Sequence, residues 1–293
     1  MFKIILTPKA GFCFGVKRAM KIAEETARSN SGLPSYTFGP LIHNPQAVAY
    51  LESIGVHQIN RLEGVKPGKL IVRSHGMPPS IVNKARKLGF EIIDATCPIV
   101  RRSQDFAKFL LKENYTVVVI GEANHPEVIG IVGHTNGKAI VVEKESDVKK
   151  IEGKEKIGVV TQTTQSMEYF QRLVLKILEL GSEIRIYNTI CGATQQRQKS
   201  TLKLAERADV MIIIGGKNSA NTTHLAQLSR ETGKPTYHIE RAEEILPEWF
   251  ENKHVVGVSA GASTPSYVIE EVITQLQYIR NKVSDPNGSR LLI

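Results

Sequence analysis

Short runs rich in Val, Ile and Leu alternate with longer amphipathic stretches along almost the whole chain. The runs predict strands over 2–7, 35–38, 69–73, 91–94, 116–120, 139–142, 156–160, 183–187, 209–214, 235–239 and 254–258, with helices between them. Strand and helix in regular alternation is the mark of α/β modules with mostly parallel sheets.

The order of these elements nearly repeats, which divides the chain into modules at 14–97, 98–190 and 191–281. In the first two, the last strand runs straight into a cysteine, as EIIDATC and EIRIYNTIC show. The third ends on the helix after STPSYVIEEVITQLQYI, with no such strand behind it. FKIILTPKAGFC at the amino terminus is a strand leading into a cysteine, so residues 1–13 are expected to complete the third module. Three pseudo-threefold-related modules would then close around a central site. Residues 282–293 read as a tail.

Composition narrows the function. The formal charge is +9, but the basic residues are spread over helical faces such as KARKLG and QQRQKSTLKLAER. Only 6% of residues are aromatic, which leaves little to stack on bases. A nucleic-acid partner is therefore not expected; part of this charge is expected to draw in a small anionic substrate or an acidic protein. No stretch approaches the roughly 18 apolar residues of a membrane span, and MFKIILTPKA lacks a cleavage pattern. A cytoplasmic protein with reduced thiols is expected.

The only three cysteines are Cys13 in GFCFGVKRAM, Cys97 in ATCPIVRRSQ and Cys191 in TICGATQQRQ. From Cys13 to Gly39 is 26 residues; from Cys97 to Gly121 and from Cys191 to Gly215 the distance is 24. One buried cysteine is ordinarily a small hydrophobe. Three at matched places in three repeats argue instead for a shared three-thiolate site. Zinc usually takes ligands at close spacing, such as C-x-x-C, and no such pair occurs. Three distant thiolates without a fourth fit an iron–sulfur cluster with an open position on one iron.

Each module also carries a polar turn after a later strand: Ser74 and His75 in VRSHGMPP, Thr161, Thr163 and Thr164 in VVTQTTQS, and Ser259, Ser263 and Thr264 in VSAGASTP. A hydroxyl there is by default a helix N-cap. The glycine loops add His43, His125 with Glu127, and Ser219 with Asn221. These turns and loops belong at carboxyl ends of parallel strands, where α/β folds bind ligands. Three histidines beside hydroxyl and amide donors suit a diphosphate. His57, His134, His224, His238 and His254 have no matching positions and read as structural. Glu122, directly after Gly121, is expected to turn outward. Glu127 is open to two readings, a general acid or a first-turn glutamate stabilising its helix.

Taken together, GFCFGV, HNP, SHG, ATCP, HPE, TQTT, the KNSAN loop and AGAS, in that order, resemble the 4-hydroxy-3-methylbut-2-enyl diphosphate reductase family over about residues 1–281. The resemblance implies a 4Fe-4S cluster on Cys13, Cys97 and Cys191. It further implies that His43, His75, His125, Ser219, Ala220, Asn221 and Ser263 bind the diphosphate, that Glu127 relays protons, and that Thr163 orders the hydroxyl network. Where the family commonly has Ser-Ser-Asn, this chain has Ser219-Ala220-Asn221, so a hydroxyl donor is missing and the Ala220 N–H is left to serve. The implied reaction is reductive removal of the C4 hydroxyl, giving isopentenyl and dimethylallyl diphosphates as the last step of the methylerythritol phosphate route to isoprenoids. No Gly-x-Gly-x-x-Gly follows a strand, so no bound nicotinamide or flavin is expected, and electrons should come from a ferredoxin or flavodoxin. A monomer or weak homodimer is expected. Two alternatives stand beside this reading: a quinolinate-synthase-like dehydratase, and a basic nucleic-acid-binding or iron-sensing protein.

Overall fold

The computed structural model describes residues 1–29 and 32–284. The chain opens with β1 (Lys3–Leu6) and α1 (Phe14–Arg28). There follow β2 (Ser35–Phe38), α2 (Pro45–Ser53), β3 (Val56–Ile59), β4 (Lys69–Val72), α3 (Pro79–Lys87) and β5 (Glu91–Asp94). After α4 (Pro98–Lys112) the same order returns as β6 (Thr116–Ile120), α5 (Pro126–His134), β7 (Ile140–Val142), β8 (Lys156–Thr161), α6 (Met167–Ile177) and β9 (Glu183–Ile186). After α7 (Gly192–Ala205) come β10 (Val210–Ile214), α8 (Ala220–Glu231), β11 (Thr236–Ile239), β12 (Val255–Ala260) and α9 (Ser266–Ser284).

These strands form three four-stranded sheets, ordered β3-β2-β4-β5, β7-β6-β8-β9 and β11-β10-β12-β1. The pairings among the described residues are all parallel. The third sheet lacks its own last strand, and β1 takes that place beside β12, with Lys3 opposite Val255 and Leu6 opposite Val258. The protein is thus three parallel-sheet α/β modules. The expected strands match within one or two residues, except that β3 was not foreseen. Its sequence, Val-His-Gln-Ile, is half polar because it is an edge strand with His57 and Gln58 facing solvent.

Period-two alternation explains how each sheet is covered. In the second module, Val118, Ile120, Ile157 and Val159 pack on Phe170, Leu173 and Ile177 of α6. The opposite face, Val117, Val119 and Val160, packs on Ala107 and Leu110 of α4 and Val128 and Ile131 of α5. α6 forms where Ser166 accepts a bond from the Tyr169 N–H and apolar residues follow at helical spacing. β10 is buried throughout for the same reason, since Ile212 and Ile214 meet α9 while Met211 and Ile213 meet α7 and α8.

Packing groups the modules unequally. One compact unit comprises residues 14–42 and 46–192, and so holds the first two sheets. The other comprises residues 1–13, 43–45 and the described residues from Ala193 onward, and holds the third. Of the tail expected at 282–293, residues 282–284 continue α9, and 285–293 lie outside the described residues. Among the described residues no helix is long and apolar enough to cross a membrane.

Candidate functional site

Each cysteine is held to a sheet by the same backbone bond. The Cys97 N–H donates to the Ser74 carbonyl at 2.9 Å, the Cys191 N–H to the Thr163 carbonyl at 2.9 Å, and the Cys13 N–H to the Ala262 carbonyl at 3.1 Å. Ser74, Thr163 and Ala262 all lie two residues beyond the third strand of their module, after β4, β8 and β12. Each cysteine also immediately precedes a helix: α1, α4 or α7. All three are free thiols and half-buried. Each thiol thus stands part-exposed at a helix start.

The glycine loops obey a second rule. The N–H of Gly39, Gly121 and Gly215 donates to the carbonyl of Ile59, Val142 and Ile239, the last residues of β3, β7 and β11. Four residues beyond these glycines stand His43, His125 and Ser219. Six residues beyond Gly121 and Gly215 stand Glu127 and Asn221. Gly215 has φ 142°, and a Cβ there would lie 2.5 Å from the Thr264 hydroxyl, so only glycine fits. The carbonyl of Gly215 bonds the His238 ring at 2.9 Å, so this histidine anchors the loop.

In the larger unit, Glu127 is the central group. It is only 1% exposed. Its Oε1 accepts from the Thr163 N–H at 2.7 Å and its Oε2 from the Thr163 hydroxyl at 2.8 Å. Burial raises its carboxyl to about 7, against the lowering effect of the Thr163 bonds and with a smaller push from the charge of Glu122. Glu122 itself is half-buried, with its N–H bonded to Gln162 Oε1. The other end of the Gln162 amide donates to the Thr164 hydroxyl, so this fully buried residue ties the glycine loop to the TQTT turn. It was not foreseen; its only signal was its place inside TQTT. The Glu127 N–H donates to His125 Nδ1 at 3.1 Å, and the His75 and His125 rings meet edge to face at 5.4 Å.

In the smaller unit, the Ser219 hydroxyl caps α8 by accepting from the Thr222 N–H. Ala220 and Asn221 open that helix, where free N–H groups and the helix dipole favour an anion. The Asn221 carboxamide is 5% exposed, and neither its oxygen nor its nitrogen has a hydrogen-bond partner. A buried amide is seldom left so. The Ser263 hydroxyl donates to the His43 carbonyl at 3.0 Å.

Four of the other turn hydroxyls bond backbone carbonyls or neighbouring hydroxyls. Thr161 and Thr264 donate to the carbonyls of Ile120 and Ile214, Ser259 bonds Thr7 and Thr201, and Ser74 donates to the Leu41 carbonyl. Of the helices that follow, α3 is capped at Pro78 and α6 at Ser166, and α9 begins at Ser266.

The family model described as LytB protein matches residues 4–277. The chain belongs to the LytB protein family. LytB relatives named 4-hydroxy-3-methylbut-2-enyl diphosphate reductase include that of Aquifex aeolicus, 49% identical over 282 residues, which span 95% of this chain and 97% of the relative. Another, from Geotalea daltonii, is 47% identical over 277 residues, 94% of this chain and 98% of the relative. Two solved LytB structures agree. One, of the E-1-hydroxy-2-methyl-but-2-enyl-4-diphosphate reductase from Plasmodium falciparum, has a TM-score of 0.88 at 30% identity and covers 94% of this chain and 87% of that one. The other, of an (E)-4-hydroxy-3-methyl-but-2-enyl diphosphate reductase described as the terminal enzyme of the non-mevalonate pathway, has a TM-score of 0.70 at 49% identity and covers 95% and 100%. LytB membership decides between the resemblance and the two alternatives set beside it.

Proposed function

We infer that this protein is a 4-hydroxy-3-methylbut-2-enyl diphosphate reductase of the non-mevalonate route, converting its substrate to isopentenyl and dimethylallyl diphosphates. Two electrons and two protons enter, the C4–O bond breaks, and water leaves. The observation that carries this reading is the threefold repeat of one cysteine anchor on a chain related to reductases along nearly its whole length. Cys13, Cys97 and Cys191 suit a 4Fe-4S cluster, being three free half-buried thiols in like settings with no fourth cysteine in the chain. When bound, such a cluster supplies electrons one at a time and a Lewis-acidic iron.

The chain's own residues do the rest. Glu127, poised near neutrality, holds the proton that accompanies departure of the hydroxyl oxygen, and Thr163 keeps its carboxyl oriented. The unpartnered Asn221 amide, the N–H groups at the start of α8 including that of Ala220, and the Ser219 hydroxyl are donors for the substrate's polar groups. His43, His75, His125 and Ser263 complete the set for the diphosphate, with Ser263 turning its hydroxyl from the His43 carbonyl toward the ligand. We take the modules to run 14–97, 98–190 and 191–281 with 1–13, related by a pseudo-threefold. The electron donor is a ferredoxin or flavodoxin, and the protein works in the cytoplasm as a monomer or weak homodimer.

Anaerobic iron and sulfide analysis, with turnover measured from an artificial one-electron donor, tests the reading. About four irons and four sulfides per chain with formation of both products are expected. A colourless protein holding stoichiometric zinc after anaerobic iron reconstitution, or one inactive with its cluster intact, would overturn it.

A further inference from the structure

The larger unit also holds a cavity of about 240 Å³ against α3, lined by none of the residues assigned above. Its floor is apolar, from Val72, Met77 and Ile92, its rim carries Asn83, Arg86 and Arg101, and the buried Gln104 lines it from within. Gln104 is only 2% exposed, yet its Nε2 has no hydrogen-bond partner. Two glycines leave room for that amide: a Cβ on Gly76 would come within 2.2 Å of Nε2, and one on Gly130 within 3.3 Å. A buried donor left unpaired is uncommon and costly in a folded protein.

The charges on the rim do not balance. Arg101 is paired with Asp94, whose other oxygen accepts the Thr96 N–H. Arg86 reaches only the side-chain oxygen of Asn83, at 3.4 Å, and among the described residues no carboxylate lies within ion-pair distance of it. His134, also on the wall, bonds the Gly130 carbonyl through Nδ1. One uncompensated guanidinium and one unpaired buried amide therefore stand over an apolar floor.

We propose that this cavity is a second binding site, for a small organic anion whose few-carbon apolar body rests on Val72, Met77 and Ile92 and whose single anionic head is held by Arg86 and Gln104. The volume admits more than ordered water but falls short of the roughly 300–1,000 Å³ typical of drug-sized ligands. The proposal does not depend on the reductase reading.

The test is calorimetric titration of the full-length, cluster-loaded protein with 4-methylpentanoate and with isopentenyl monophosphate, which carry similar apolar bodies on different heads. At least one should bind saturably, and the stronger names the head the site prefers. Arg86→Ala, on the exposed face of α3, should weaken that binding roughly tenfold or more, as expected for loss of a charge-assisted contact. Val82→Trp, which fills the cavity, should abolish it; both variants should keep the turnover of the parent protein. If Val82→Trp fails to fold, Arg86→Ala still decides. No saturable binding of either probe at millimolar concentration, which would mean a water-filled hollow, or binding unchanged in Arg86→Ala, would overturn the proposal.

Discussion

Glu127→Gln removes one ionisable proton from a closed site while leaving its shape almost intact. The glutamine oxygen can still accept the Thr163 N–H, and its amide nitrogen can donate to the Thr163 hydroxyl in place of the bond that hydroxyl now gives. In the unfolded chain the carboxyl ionises near 4.5, whereas burial moves it to about 7 in the folded protein. The folded state therefore holds its proton more tightly between those values, and wild-type stability falls as pH rises from about 4.5 to 7. The full difference is about 3 kcal/mol, and it is felt above pH 7. Glutamine does not titrate, so the variant should match the parent near pH 4.5 and exceed it in thermal stability above pH 7. Turnover should move the other way. If Glu127 supplies the proton, reduction from an artificial one-electron donor should fall roughly 10²-fold or more, with cluster content and substrate binding near normal. Wild-type turnover should also decline as pH climbs through about 7 and the carboxyl loses its proton. A variant that gains stability at high pH yet turns over at the parent rate would remove Glu127 from the chemistry and leave it a buried support for the TQTT turn.

Ser in place of Cys13, Cys97 or Cys191 keeps the backbone bond that anchors each position, so the chain should fold while losing most of its iron and its turnover; an unaffected variant would identify a cysteine that is no ligand. Asn221→Ala removes a buried amide with no partner inside the protein, so it should weaken substrate diphosphate binding about tenfold or more while costing little stability, as read by calorimetry and thermal melts. Leu173→Ala opens a cavity under the second sheet and should cost about 2–5 kcal/mol in denaturant unfolding without altering KM.

What was legible in the sequence followed from burial on two faces. Runs such as VMIII at β10 and TVVVI at β6 are apolar throughout because helices cover both sides, and a run of that kind announces a strand by itself. β3 gave no such signal, since an edge strand is held by its backbone ladder and needs few apolar residues. The replacement of a missing last strand by β1 was readable because FKIILTPKAGFC copies the strand-into-cysteine pattern of EIIDATC. The roles of the turn hydroxyls were not readable. Ser74, Thr161 and Thr264 satisfy backbone carbonyls at strand ends, and whether a hydroxyl meets a helix start or a neighbouring carbonyl depends on where the turn lies in space. Gln162 gave no signal for a like reason, since the bond its Oε1 accepts comes from the Glu122 N–H, forty residues away in sequence.

The three modules share backbone and differ in side chains, and the division has a chemical logic. Each cysteine is positioned by its own N–H on a carbonyl two residues past a strand, a bond indifferent to whether that residue is Ser74, Thr163 or Ala262. The metal-binding set proposed for these thiols needs three like settings, and backbone bonding keeps them alike although the residues around them differ. The substrate proposed for this site is asymmetric, with a hydroxyl at one end and a diphosphate at the other. The same loop positions accordingly carry unlike groups: His43, His125 and Ser219 at one, Glu127 and Asn221 at the other. Of these last two, Glu127 is closed on Thr163 with its carboxyl raised by burial, whereas the Asn221 amide is buried with no bond inside the protein. One repeated loop thus places a buried carboxyl in the second module and a buried amide in the third, the groups proposed above as proton donor and ligand contact, with the same backbone anchor on the cysteine of each.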